Sequence, residues 1–166
     1  DRVADRNGAQ PDDRRGGGLG FLFRDTFCRE PEPVTLPDYS SFECFAVSMR
    51  SHSSTLTIFN IYRPPDSSKY SKPFSVFMSQ FNSFLSLAAT TPHEFIITGD
   101  FNIHVNDLSD AHASEFLTTL ASANLQQHVS VPTHYDNNSN NTLDLVITSA
   151  HSTLSPVINC SATSPS

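Results

Sequence analysis

Two polar side chains follow the apolar run Phe95–Ile97 at a spacing that suits phosphate chemistry. Asp100 and Asn102 lie two residues apart, directly after a Thr-Gly pair. Because residues two apart on an extended chain point to the same side, a carboxylate and a carboxamide would face one small volume. Such a pair can orient a nucleophile and donate to a phosphate oxyanion beside a divalent cation. The same spacing also fits a plain strand that ends in a Gly-Asp turn with an Asn cap.

Two further polar residues lie in other apolar segments. Tyr62 ends the segment 55–62, which stops before two prolines that cannot donate to a strand ladder. Asp144 lies within the apolar segment 142–148, where an unpaired buried carboxylate would be costly. We therefore expect Asp144 to have a polar partner or to face a polar cleft.

Hydrophobic periodicity predicts two helices that separate these strands. From Pro73 to Ala89 the apolar residues form one continuous stripe at helical spacing, made of Phe74, Phe77, Met78, Phe81, Leu85 and Ala88. A shorter stripe predicts a second helix over about 111–123, with Asp110 or Ser109 as its N-cap.

Alternating or continuous apolar runs predict the strands, near 19–24, 42–50, 55–62, 94–100 and 142–148, with one more possible at 156–160. The segments 42–50 and 55–62 flank the turn SHSS and predict a hairpin. Residues 1–18 are polar and Gly-rich, and we expect them to be irregular. Hairpin-like pairs together with two helices predict a mixed α/β sandwich rather than an all-parallel sheet.

Composition indicates one domain with a substantial core. The chain has 166 residues, of which 13 are Phe, and these carry much of the apolar volume. No apolar run is long enough to span a membrane, and the first residues contain no apolar signal region. We therefore expect a soluble, non-secreted protein of the nucleus or cytoplasm. The three widely spaced cysteines predict neither a disulfide scaffold nor a zinc site.

Charge is distributed unevenly along the chain. All ten Lys and Arg residues lie at or before Lys72. From Pro73 onward the chain contains seven acids and no Lys or Arg, which accounts for the net charge of −7. A half without cations is a poor surface for a polyanion, although it can form an electronegative bowl for a metal cation. Positive charge for binding nucleic acid would have to come from the first half or from chain beyond it.

Three motifs occur in a family-specific order: NIYRPP with Tyr62, IITGDFN with Asp100 and Asn102, and TLDLVIT with Asp144. Together they resemble the endonuclease/exonuclease/phosphatase superfamily, and in particular the endonuclease domain of LINE-type (non-LTR) retrotransposons. GGGLGFLFRD, SSFECFAVSM and VPTHYDNNSNNTLDLVIT also look like parts of that domain, so the similarity runs from about Gly16 to the end of the chain.

The resemblance implies a four-layer α/β sandwich of two stacked mixed sheets with outer helices. It implies Mg²⁺- or Mn²⁺-dependent hydrolysis of DNA, a nick that primes a reverse transcriptase domain of the same element. By resemblance, Asp100 orients the attacking water and is a metal ligand, and Asn102 donates to the scissile phosphate. Tyr62 would stabilise the transition state, and Asp144 would hold the imidazole of a catalytic His.

The sequence departs from the family at both ends. Nothing before Gly16 matches the strands that carry the family's Asn and its metal-binding Glu, and no Ser-Asp-His motif precedes the last residue, Ser166. We therefore expect a polar lead-in or disordered segment at 1–15 and a partial, truncated domain at 16–166. Such a fragment would by itself be weakly active or inactive. A phosphatase of the same superfamily and a non-catalytic remnant that only binds a partner are the alternative interpretations.

Overall fold

The computed structural model describes residues 2–5 (backbone only), 18–24, 31–50, 54–135 and 140–154. Within these ranges it contains ten strands and two helices. The strands are β1 (Arg2–Asp5), β2 (Gly20–Phe23), β3 (Glu32–Val34), β4 (Glu43–Arg50), β5 (Thr55–Tyr62), β6 (Glu94–Asp100), β7 (Leu125–Gln127), β8 (His134–Tyr135), β9 (Asn140–Asn141) and β10 (Asp144–Ser149). The helices are α1 (Phe74–Ala88) and α2 (Ala111–Ser122). The possible strand at 156–160 lies outside the described residues.

A mixed six-stranded sheet in the order β3-β4-β5-β6-β10-β7 forms the centre of the fold. Strands β4 and β5 pair antiparallel over their full length, as the hairpin prediction requires. Among the described strands, β5 and β6 are the one parallel pair. A parallel pair needs a crossover connection, and α1 supplies it.

Helix α1 confirms the predicted stripe and packs against one face of the sheet. All six predicted stripe residues are buried, and Phe84 is buried with them. They join sheet residues such as Phe59, Ile61 and Ile97 in the larger of two apolar clusters. Burial of each large apolar side chain contributes about 1.5–3 kcal/mol before entropy is subtracted. In α2, Asp110 is the N-cap as predicted and accepts a hydrogen bond from the His112 N–H at 2.8 Å.

A ribbon formed by β1 and β2 lies over the opposite face of the sheet. Phe23 packs with Phe45, Val47 and Met49 in the second apolar cluster. The ring centroids of Phe21 and Phe45 are 5.5 Å apart. The described part of the chain is therefore layered as helices, six-stranded sheet and ribbon, and the predicted α/β class with stacked sheets is confirmed.

The described residues near the start of the chain differ in part from the prediction of irregular structure. Arg2–Asp5 forms β1, paired antiparallel with β2 in a register that joins Arg2 to Phe23. Strand pairing uses backbone groups, so a polar segment can form a strand without any apolar alternation to reveal it. No helix in the described residues has the length and apolar character needed to cross a membrane.

Candidate active site

Four neighbouring strands reach the same level at one edge of the six-stranded sheet, and the residues that pair across them there form one row. Glu43 pairs with Tyr62, Tyr62 with Asp100, and Asp100 with Asp144. Directly opposed residues point to the same face of a sheet, and neighbouring strands are about 4.8 Å apart. Phe45 of β4 packs against the ribbon, and Glu43 lies two residues before Phe45 on the same face of the strand. The whole row therefore faces the ribbon.

A cavity of about 470 Å³ lies above this row. It is lined by the end of the row, by backbone of β5 and β6, and by the segment that leads into β2: Gly18, Leu19, Asn60, Ile61, Tyr62, Gly99, Asp100 and Asp144. Three of the four residues predicted from the sequence, Tyr62, Asp100 and Asp144, thus line one cavity. They are 38 and 44 positions apart along the chain, and strand register brings them together.

Gly99 allows the strand that carries Asp100 to lie close against β5. Its φ is +136°, and a Cβ atom there would lie 1.9 Å from the carbonyl oxygen of Ile61. No side chain can occupy that space, because real Cβ atoms do not approach a backbone oxygen so closely. The glycine before Asp100 is therefore a requirement of this close approach.

Asp100 has a raised pKa. Burial of its carboxyl is the largest cause, and the nearby charge of Asp144 raises the pKa further. The backbone N–H of Asn102, which donates to Asp100 Oδ1 at 3.1 Å, and the charge of His134 act in the opposite direction. Two carboxylates that share one cavity therefore repel each other, and a bound cation would relieve that repulsion.

Asn102 lies beside the cavity rather than in its lining. It adopts the left-handed conformation with φ of 49°, and its Nδ2 donates to the carbonyl oxygen of Arg63 at 2.8 Å. The Arg63 guanidinium donates back to the carbonyl oxygen of Asn102 at 3.0 Å. Asn102 is thus fixed next to Asp100, and its side-chain amide also helps to lower the pKa of that carboxyl.

Thr133, the second residue of the Pro-Thr pair upstream of β10, fixes the start of that strand. Its hydroxyl oxygen accepts hydrogen bonds from the backbone N–H groups of Leu143, at 3.1 Å, and Asp144, at 3.0 Å. The Thr133 N–H donates to the carbonyl oxygen of Asn141 at 2.9 Å. These bonds hold Asp144 at the level of Asp100, with its side chain exposed at the rim of the cavity.

Sequence reasoning missed two polar residues of this face. Glu43 belongs to the row, and its Oε2 accepts a hydrogen bond from the Gly18 N–H at 3.2 Å. Asn60 lies two residues before Tyr62 and faces the cavity. The hairpin prediction could have found Glu43, because pairing 50 with 55 across a tight turn also pairs 43 with 62.

The oxygen donors in the row suit a hard divalent cation. Carboxylate oxygens are preferred ligands of Mg²⁺, which keeps several waters and needs only one or two carboxylates from the protein. The repulsion between Asp100 and Asp144 also fits a cation between them. Within the described ranges there is no cluster of three or more His, Cys, Asp or Glu residues that could hold a metal ion.

Comparisons with solved structures define the class of protein. The endonuclease domain of TRAS1, a telomere-specific non-LTR retrotransposon, superposes with a TM-score of 0.58 and 20% identity over 88% of this chain and 64% of that one. TDP2 from D. rerio, complexed with a single strand DNA product, superposes with a TM-score of 0.52 and 11% identity over 93% of this chain and 64% of that one. The chain thus spans less than two thirds of each structure, 64%, and has the endonuclease/exonuclease/phosphatase fold. No curated protein matches it.

The chain belongs to the endonuclease–reverse transcriptase family, whose sequence model matches residues 56–166. That range contains Tyr62, Asp100, Asn102 and Asp144. The recognition of this superfamily from the three sequence motifs is therefore confirmed.

Proposed function

We propose that this chain is the endonuclease part of a non-LTR retrotransposon protein and hydrolyses a phosphodiester bond of DNA. One observation carries the proposal: Tyr62, Asp100 and Asp144, from three strands, line a single cavity beside Asn102. The family match and the likeness to the TRAS1 domain support the same function. DNA is then the substrate, and a reverse transcriptase domain of the same element is the expected partner, in the nucleus or cytoplasm.

The residues have distinct roles in this proposal. The Asp100 carboxylate orients the attacking water and accepts a proton from it. The Asn102 side-chain amide and the Tyr62 hydroxyl donate to the phosphate oxygens. Asp144 would orient a catalytic imidazole, as the family resemblance implies.

Mg²⁺ or Mn²⁺ is the proposed cofactor, and Asp100 is its proposed ligand in this chain. When bound, the cation would neutralise negative charge that develops on the phosphate oxygens. The residues of the chain would then keep the phosphate in place and remove the proton from water. The site residues, the metal and its identity are all parts of the proposal.

A plasmid-nicking assay on the full-length protein with Mg²⁺ tests this function. Asp100→Ala should lower the nicking rate by about 10²–10⁴-fold, the usual contribution of a general base. Glu115→Ala removes an exposed carboxylate of α2 and serves as the matched control, with an unchanged rate. Nicking that survives Asp100→Ala would refute the assignment, and phosphate release from small esters without nicking would assign a phosphatase instead.

A further inference from the structure

Arg63 is a charged side chain buried beneath the candidate active site. It directly follows Tyr62 and is 2% exposed. Burying a charge is expensive unless it is paired and hydrogen-bonded. The guanidinium carbon lies 5.5 Å from the ring centroid of Phe74 and 5.2 Å from that of Phe77. The group also forms an ion pair with Asp66, an exposed residue of the β5–α1 connection.

Within the described part of the chain, the other hydrogen bonds of Arg63 go to the segment that carries Asp100 and Asn102. The guanidinium donates to the carbonyl oxygens of Phe101, at 3.4 Å, and Asn102, at 3.0 Å. The Arg63 N–H donates to the carbonyl oxygen of Asp100 at 2.9 Å. Asn102 Nδ2 donates back to the Arg63 carbonyl oxygen at 2.8 Å. We call this set of bonds the Arg63–Asn102 clamp.

The clamp holds Asn102 in a conformation that its backbone does not favour. A non-glycine residue at φ of 49° lies in the left-handed region, which costs free energy even though Asn tolerates it better than most residues. Such a conformation persists only where the surroundings determine it. Here the same conformation directs the Asn102 N–H to Asp100 Oδ1, at 3.1 Å.

We propose that Arg63 is a positioning residue of the candidate active site, which sets the place of Asn102 and, through it, of the Asp100 carboxylate. The catalytic consequence of this inference rests on the proposed function. The clamp itself is defined by hydrogen bonds of the structure and does not depend on that function. Arg63 touches neither substrate nor metal in this proposal, and it acts through Asn102.

The geometry requires arginine rather than any cation. The guanidinium is a planar fork that can donate to two carbonyl oxygens and a carboxylate at once while it stacks on aromatic rings. A lysine ammonium is a point charge on a flexible stem and cannot make all of these contacts from one place. Arg63→Lys should therefore keep a buried cation and still release Asn102.

NMR of the Asn102 side-chain amide in the full-length protein tests the clamp without reference to activity. Arg63→Lys should shift that resonance and speed hydrogen exchange of Nδ2 by about tenfold, the equivalent of one hydrogen bond. Asp66→Ala removes the exposed partner of the guanidinium and does not touch Asn102, so it should cause a smaller change in the same direction. This variant decides the question if Arg63→Lys does not fold.

Phe84→Leu is the control for general loss of stability. Phe84 is a buried ring of α1 that packs on Phe59 and Phe42, and no described contact joins it to Arg63. It should unfold more easily and leave the Asn102 resonance unchanged. An Asn102 amide that is the same in wild type, Arg63→Lys and Asp66→Ala would overturn the proposal.

Nicking kinetics distinguish positioning from mere stabilisation. At a temperature where all variants are folded, Arg63→Lys should lower kcat by about 10–100-fold with KM unchanged, because a small misplacement of a catalytic group has that cost. Phe84→Leu should keep the wild-type kcat. An unchanged kcat with a shifted amide would overturn the positioning role. A wild-type protein that does not nick refutes the proposed function, whereas the NMR result still decides the clamp.

Discussion

At Asp100, some of the surroundings favour the ionised carboxylate and others oppose it. The Asn102 N–H stabilises the charge, while burial and the charge of Asp144 raise the pKa. A carboxylate held in this way is a stronger base than an exposed one and is also less stable as an anion. The features that suit Asp100 to accept a proton therefore lower the stability of the folded protein at neutral pH.

Asp100→Asn should raise the melting temperature at pH 7 by about 2 °C. In a domain of this size, an increase of up to about 1 kcal/mol in the free energy of unfolding gives such a shift. The variant keeps an oxygen that can accept from the Asn102 N–H and removes the charge. Because the folded-state pKa is raised, the folded protein holds a proton at pH values where the unfolded chain has released it. Stability from this group thus falls as pH rises through that interval.

Thermal unfolding from about pH 3 to about pH 8 checks this prediction, because the advantage of Asp100→Asn should vanish below about pH 4, where both states are protonated. Asp107→Asn is a control of opposite sign. Bonds from Ser109 lower the pKa of Asp107, so its contribution is present at neutral pH and is lost as pH falls. An Asp100→Asn protein that is less stable than wild type at pH 7 would contradict the electrostatic account.

At the scale of single residues, the sequence predicts the site residues that end or interrupt an apolar strand. It does not predict a residue whose burial depends on contacts with distant parts of the chain. Tyr62, Asp100 and Asp144 could be recognised because each interrupts or ends an apolar run. Arg63 could not, because a basic residue before two prolines has the pattern of an exposed turn. Its burial depends on Phe74, Phe77 and the carbonyl oxygens of residues 101 and 102, which are remote in sequence.

Among the elements, β6 decides whether the candidate site forms, because it pairs with both β5 and β10. Its apolar run and its approximate bounds followed from the sequence, and so did α1. The register did not, since alternation gives the face of a side chain and not its partner across the sheet. Pairing of Asp100 with Tyr62 on one side and Asp144 on the other is therefore a property of the assembled sheet.

Gly99→Ala should destabilise the protein by more than about 3 kcal/mol, since it combines a forbidden backbone conformation with a steric clash. The new Cβ would meet the Ile61 carbonyl oxygen at 1.9 Å, so β5 and β6 would have to separate. Gly18→Ala is the matched control. Gly18 also has a positive φ, +115°, but no atom lies within 4 Å of the place where an alanine methyl would sit, so only the conformational cost of about 1–2 kcal/mol applies.

Urea unfolding of both glycine variants measures the difference. Equal losses of stability at positions 99 and 18 would show that the close approach of β6 to β5 is not required. A Gly99→Ala protein that folds should also lose nicking activity, because Asp100 moves with the strand.

For the whole molecule, the distribution of charge limits where a polyanion can bind. The Lys and Arg residues with described side chains are few: Arg24, Arg50, Arg63, Lys69 and Lys72. Arg63 is buried, and Arg50 forms an ion pair with Glu32 at the end of β4 opposite Glu43. Lys69 and Lys72 lie in the connection that follows Tyr62, and the Lys69 ammonium lies 4.8 Å from the ring centroid of Tyr70. This connection therefore carries the exposed cations nearest in sequence to Tyr62 of the candidate site.

The double variant Lys69→Ala/Lys72→Ala should weaken DNA binding and reduce the slope of log K against log salt by about 1–2, one for each phosphate that is no longer neutralised. Fluorescence anisotropy of a labelled duplex over a range of salt concentrations measures this without any need for cleavage. Arg50→Ala removes one cation from the other end of the sheet and should leave the slope unchanged. An equal effect of Arg50→Ala would mean that only net charge matters, and an unchanged slope in the double variant would place the DNA on another surface. Because seven acids and no cations follow residue 72, that other surface would have to include residues before β3 or chain beyond this sequence.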